Sequence, residues 1–156
     1  MTRSEIREHI FRLVFRLEFL SEGDVRSQLP RYFEDGATSL FPDGSDGSDD
    51  VGPWVFDEED KQYISEKYER IAAVLNKLDE TINTHSRSWD TKRMGKVDLA
   101  ILRLAVFEML HDDDIPVGVA IDEAVELAKK YGQDESPSFI NGVLAGIAKS
   151  EGGVPE

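Results

Sequence analysis

Apolar residues recur through most of this chain at the three- and four-residue steps of an α-helix, and no stretch alternates apolar and polar positions for more than a few residues. From Tyr63 onward, Ile64, Tyr68, Ile71, Leu75, Leu78 and Ile82 advance by steps of four and three, which lays one apolar stripe along a long helix. Residues 94–110 are apolar on most sides, with Arg103 and Glu108 as inner charges, as a helix surrounded by others should be. Residues 117–131 place Ala120, Ala124, Leu127, Ala128 and Tyr131 on one face. Asp122 and Glu123 stand early in that helix, Lys129 and Lys130 late, and Gly132 marks its stop. A last helix opens on Ser136 as N-cap with Pro137 at the first helical position and runs through Ile140, Val143, Leu144 and Ile147. Gly142 and Gly146 within it predict the close approach of a neighbour. Residues 22–33 predict a short helix bearing Val25, Leu29, Tyr32 and Phe33, bent or restarted at Pro30. Residues 34–54, with repeated Asp-Gly and Ser-Asp steps, read as a disordered connection. The fold class is all-α.

At 156 residues the chain fits one domain or two closely packed sub-bundles. Charge interrupts every apolar stretch well short of the ~20 residues a membrane span requires. The N-terminus turns amphipathic at once and lacks the apolar segment of a secretory signal, so a cytoplasmic address is expected. Cysteine is absent, which excludes disulfides and thiolate chemistry. The net charge of −14 would repel nucleic acid if it were spread evenly. It is not: residues 1–20 sum to +1 and residues 85–103, with Arg87, Lys92, Arg93, Lys96 and Arg103, to +3, leaving −18 elsewhere. Much of that lies in Asp43, Asp46, Asp49, Asp50, Asp57, Glu58, Glu59 and Asp60, which read as a solvated loop. Its acids fall every third residue, not alternately, so it does not fit a calcium loop.

Catalytic constellations are hard to find. Di-iron bundles need two Glu-x-x-His pairs, and the chain offers only Glu108 to His111, at a helix end beside Asp112, Asp113 and Asp114. His9 falls among Glu5, Glu8 and Arg12 on a surface-like arc, and His85 in a polar connection, neither with a recognisable nucleophile or acid partner. No glycine-rich phosphate loop is present. The first helix is more suggestive. On a helical wheel Ile6, Ile10, Leu13, Val14, Leu17 and Leu20 form the buried stripe, while Phe15 lies nearly opposite, Phe19 is close by, and Arg12 and Arg16 flank them. An aromatic edge bordered by arginines suits single-stranded RNA, whose bases stack on rings while guanidinium groups hold phosphates. Packing of Phe11 and Phe15 against a second layer, such as the helix of residues 22–33, fits the residue types equally well.

The segment Trp89-x-x-x-Arg93-Met94-x-x-Val97-Asp98-x-Ala100-Ile101-Leu102-Arg103-x-Ala105-x-Phe107-Glu108 resembles the C-terminal half of the NusB family. Ile115-Pro116-x-x-Val119-Ala120-Ile121-Asp122-Glu123-Ala124-Val125-Glu126-Leu127-Ala128-Lys129 and Phe139-Ile140-Asn141-Gly142-Val143-Leu144 continue the likeness. Arg7-Glu8 and Leu13-Val14-Phe15 resemble the start of the family's first helix. The resemblance covers the chain apart from residues 34–56. It implies a bundle of about six to seven helices in two packed sub-bundles, here residues 1–84 and 85–150, with a disordered acidic loop over 34–56 and a flexible tail at 151–156. It further implies no catalytic activity, and the residues themselves give no reason to expect a cofactor or a metal. The expected partners are boxA RNA and NusE, the small-subunit ribosomal protein, within the antitermination complex of RNA polymerase; a homodimer is the alternative assembly of the free chain. By match to the family, Arg3, Arg7, Phe15 and the stretch with Glu135, Ser138 and Phe139 would contact RNA, and the wheel adds Arg12 and Arg16.

Ser4 and Glu5 interrupt what is often a denser arginine cluster, which predicts weak RNA binding by the chain alone. Asp122 stands where the family usually has Asn, and the acidic loop at 43–50 is longer than expected. Arg103 and Glu108 are expected to pair with neighbouring helices, and Trp89 to anchor the core. Two other functions remain open to the same residues: a NusB-like module of another RNA-processing system, as in the domains fused to RNA methyltransferases, and a purely protein-binding scaffold.

Overall fold

The computed structural model describes residues 1–34, 54–86 and 91–150, and the described residues form helices without strands. Helix α1 (Arg3–Arg16) leads through single 3-10 turns at Leu17–Phe19 and Glu22–Asp24 to α2 (Gln28–Glu34). Helices α3 (Glu58–Ala73), α4 (Leu75–His85), α5 (Lys96–His111), α6 (Val117–Tyr131) and α7 (Ser136–Ser150) follow. The all-α expectation holds. Contacts divide the chain into two compact units, Met1–Ala73 and Val74–Glu156.

In the first unit α1 begins with a capping box. The Thr2 hydroxyl accepts the Glu5 N–H at 3.1 Å, and Glu5 Oε1 accepts the Thr2 N–H at 2.9 Å. Glu5, which looked like an interruption among arginines, is therefore the residue that starts the helix. From His9 to Arg16 every side chain of α1 is buried, and α1 packs against α3 through a core that includes Ile64, Tyr68 and Ile71. Gln28 fastens α2 to both: its amide donates to the Leu13 carbonyl at 3.3 Å and to the Tyr68 hydroxyl at 2.6 Å, and that hydroxyl donates to the Val25 carbonyl at 2.6 Å. Pro30 sits in the first turn of α2, where a missing N–H costs nothing, so the chain restarts just before it and does not bend at it.

Helix α3 begins at Glu58, with the Asp57 carboxylate accepting the Asp60 N–H at 2.8 Å. Four acids assigned to a solvated loop, Asp57 to Asp60, are thus a cap and a first turn that complement the helix dipole. The long helix expected from Tyr63 to Ile82 is two helices, broken at Val74 (φ −115°, ψ 21°). Residues 43–50, Arg87, Trp89 and 151–156 lie outside the described residues.

The second unit is built around α5, whose residues from Leu99 to Met109 are all buried, with α4, α6 and α7 packed against it. Arg103 on α5 donates from Nε and Nη2 to the two carboxylate oxygens of Asp79 on α4, each at 2.8 Å, the cross-helix pair expected of an inner charge. Glu108 is buried as well. Gly132 ends α6, its N–H donating to the Ala128 carbonyl at 2.9 Å. Gly142 and Gly146 do not serve a close approach: a Cβ at either would meet nothing within 4 Å.

Candidate nucleic-acid interface

The candidate RNA contacts fall in both units. In the first, Arg3 is exposed in the opening turn of α1, while Arg7 and Arg16 are 7% exposed, Phe15 2% and Arg12 not at all. Arg12 Nη2 lies 3.8 Å from Glu8 Oε2, and the Arg16 guanidinium sits 4.7 Å from the centre of the Tyr32 ring. Phe15 is stacked into a run of rings, 6.4 Å from Phe11 and 5.2 Å from Phe19, and of the three only Phe19 is exposed. For Phe11 and Phe15, then, packing is the observed arrangement and the open aromatic edge is not.

His9 also leaves its expected place on the surface. It is fully buried, its Nδ1 2.6 Å from the Tyr32 hydroxyl and its ring edge-on to Trp54 and Phe56 at 4.6 and 4.8 Å. A wheel drawn for α1 alone could not show this, because the rings that cover the polar side come from α2 and from the segment before α3. The signal that could have revealed it is the clustering of Tyr32, Phe33, Trp54 and Phe56 on either side of the acidic stretch.

In the second unit the structure brings the expected contacts together with residues that sequence reasoning had left aside. A cleft of about 320 Å³ is lined by Arg93, Met94, Gly95 and Asp98 at the start of α5 and by Gln133, Glu135, Ser136 and Phe139 at the start of α7. Glu135 is exposed, Phe139 half-buried and Met94 buried; Ser138 is exposed in the same first turn of α7 but does not line the cleft. Ser136 belongs to the helix itself, and its hydroxyl does two tasks. It accepts the Gln133 N–H at 3.0 Å and hydrogen-bonds the Asp98 carboxylate. Burial pushes the Asp98 carboxyl above its ordinary range; the bond from Ser136 opposes that shift and the Glu135 carboxylate adds to it. Arg93 puts a cation on the exposed rim. It belongs to the basic stretch 85–103, and the fold places it on the same cleft as Phe139 and Glu135.

A ring, a rim guanidinium and hydrogen-bonding groups line one cleft of the second unit, in a chain whose two units are each packed about a buried helix and whose described residues form no strand. The NusB family model matches residues 4–149, and the chain belongs to the NusB family. The transcription antitermination protein NusB of Lachnoclostridium phytofermentans is 44% identical over 147 residues, spanning 94% of this chain and 98% of that protein. Among solved structures, T. maritima NusB superposes with a TM-score of 0.75 at 30% identity, covering 97% of this chain and 94% of that one. A chain from the crystal structure of the antitermination factors NusB and NusE in complex with dsRNA superposes with a TM-score of 0.67 at 21% identity, covering 96% and 99%, which is a likeness of fold. No helix among the described residues is long and apolar enough to cross a membrane.

Proposed function

We propose that this chain is a transcription antitermination factor that binds boxA-type single-stranded RNA as a heterodimer with NusE and helps RNA polymerase read through terminators, notably in ribosomal RNA operons. It acts in the bacterial cytoplasm, as a binding protein and not as an enzyme. The observation that carries this reading is kinship along nearly the whole length with proteins named for antitermination. The structure of similar fold that holds NusB with NusE and dsRNA makes NusE the partner to test first.

Accessibility divides the candidate contacts. Arg3, Arg93, Glu135, Ser138 and Phe139 can meet RNA directly, with Phe139 as the stacking ring and the arginines on phosphates. Arg7, Arg12, Phe15 and Arg16 act from beneath, fixing the shape of α1. The test is fluorescence anisotropy with a boxA-like strand and a scrambled control, with and without NusE. NusE should strengthen boxA binding over the control, and Phe139→Ala should weaken it by about 1–3 kcal/mol. Arg93→Ala should reduce the slope of log affinity against log salt by about 0.7. Phe15→Ala should chiefly cost stability, about 3–5 kcal/mol. Binding of NusE without RNA would make the chain a partner-docking scaffold instead.

A further inference from the structure

We propose that Asp98 is a base-selecting residue: in the cleft between the starts of α5 and α7 its carboxylate reads the amino edge of one extruded base and discriminates against a base lacking that amino group. The proposal rests on the RNA-binding reading and adds to it a selection rule.

The cleft, at about 320 Å³, lies in the size range of sites that enclose a small planar guest. Its polar lining is unbalanced. Two carboxylates, Asp98 and Glu135, lie close enough for each to feel the other, and an ionised carboxylate only accepts hydrogen bonds. A phosphate placed between them would be repelled, whereas an exocyclic amine would find two acceptors; carboxylates accept in the same way from the N4 amine of cytosine. The rim supplies what the floor lacks: Arg93 can take the phosphate on either side of the base while Phe139 covers its face.

Asp98 is also held still. Its bond to Ser136 is backed by the bond from the Gln133 N–H to the same hydroxyl, and Gly132 packs so closely on Ser136 that a Cβ would come within 2.7 Å of it. A group fixed in this way meets a base without reorganising, which is what discrimination requires. Burial, with Glu135 adding to it, makes the ionised form of Asp98 costly, and a donor arriving from a base would offset that cost.

A carboxylate in the first turn of α5 could instead serve only the helix dipole. The two roles differ in base preference. Anisotropy is measured with NusE present, on a boxA-type strand and on a set in which each amino-bearing base in turn loses its amino group: cytidine to uridine, adenosine to purine riboside, guanosine to inosine. One position should lose tenfold or more in affinity with the unaltered chain. Asp98→Asn, which keeps the size and a bond to Ser136, should shrink that loss to under twofold at the same position while the salt slope stays unchanged. Glu135→Gln, on an exposed side chain that the fold does not need, should lessen the same loss and no other. A flat profile across all positions, or a sensitive position unaffected by either variant, overturns the proposal alone. Absence of binding to every strand overturns the RNA-binding reading and this one with it.

Discussion

Gly132 and Gly142 stand on either side of the start of α7 and are glycine to opposite effect. At Gly132 the backbone is extended (φ −95°, ψ −166°), so any residue could adopt it, but a Cβ would come within 2.7 Å of both Cβ and Oγ of Ser136 and 2.9 Å of the Ala128 carbonyl. Gly132→Ala must push Ser136 aside and should cost about 1–3 kcal/mol. At Gly142 a Cβ meets nothing within 4 Å, and the helix suffers only the entropy of an unrestrained backbone. Gly142→Ala should stabilise by about 0.5–1 kcal/mol. Urea midpoints of the two variants should therefore move in opposite directions from that of the parent. Their likeness in the sequence shows why a glycine's purpose is hard to read there: the expectation of a close neighbour, made for Gly142 and Gly146, is met instead at Gly132, because the crowding atoms come from the next helix start.

At the scale of elements, α5 was legible and α1 was not, although both are buried nearly all round. An unbroken apolar run announces its own burial. The charged residues of α1 do not, since a guanidinium is buried only where something covers it: Glu8 is in reach along the helix, but the Tyr32 ring over Arg16 is set by tertiary packing. The break at Val74 was silent for a related reason: no Gly or Pro marks it, and the apolar spacing of the sequence continues through it. The stretch from Glu135 to Phe139 was legible through family resemblance, whereas Asp98 joined it only once α5 and α7 were packed. What binds the elements of the first unit most directly is the Gln28–Tyr68–Val25 bridge, and it has an alkaline limit. Burial raises the Tyr68 hydroxyl from an ordinary 10.0 to about 12, with the bond from Gln28 pulling the other way. The folded chain thus holds this proton to higher pH than the unfolded chain does. The stability it contributes is complete below about pH 10 and is lost as pH rises through about 12. In an alkaline absorbance titration Tyr68 should ionise late and together with unfolding. Tyr68→Phe should remove that late step and, by taking from the Gln28 amide one of its two acceptors and from the Val25 carbonyl its donor, cost about 1–3 kcal/mol at neutral pH.

At the scale of the whole molecule, a net charge of −14 sets stability and RNA binding against each other as salt is varied. Like charges repel within the folded chain, and that repulsion is longest-ranged when the Debye length is about 30 Å, near 0.01 M salt. Raising the salt to 0.15 M shortens it to about 8 Å, which relieves the acidic excess more than it weakens buried pairs such as Arg103 with Asp79. The thermal midpoint should therefore climb by a few °C over this range, about 1 kcal/mol of added stability for a chain of this size. RNA affinity should fall over the same range, because each phosphate contact gives up its counterion advantage. Replacing Asp43, Asp46, Asp49 and Asp50 by Asn separates the two effects. The thermal midpoint should rise at low salt and lose much of its salt dependence, while the slope of RNA affinity against salt stays as it was, since that slope counts phosphates met by cations and not the charge of the chain. A change in the RNA slope would instead place the acidic stretch within the field felt by bound RNA, and its charge would then act on binding directly.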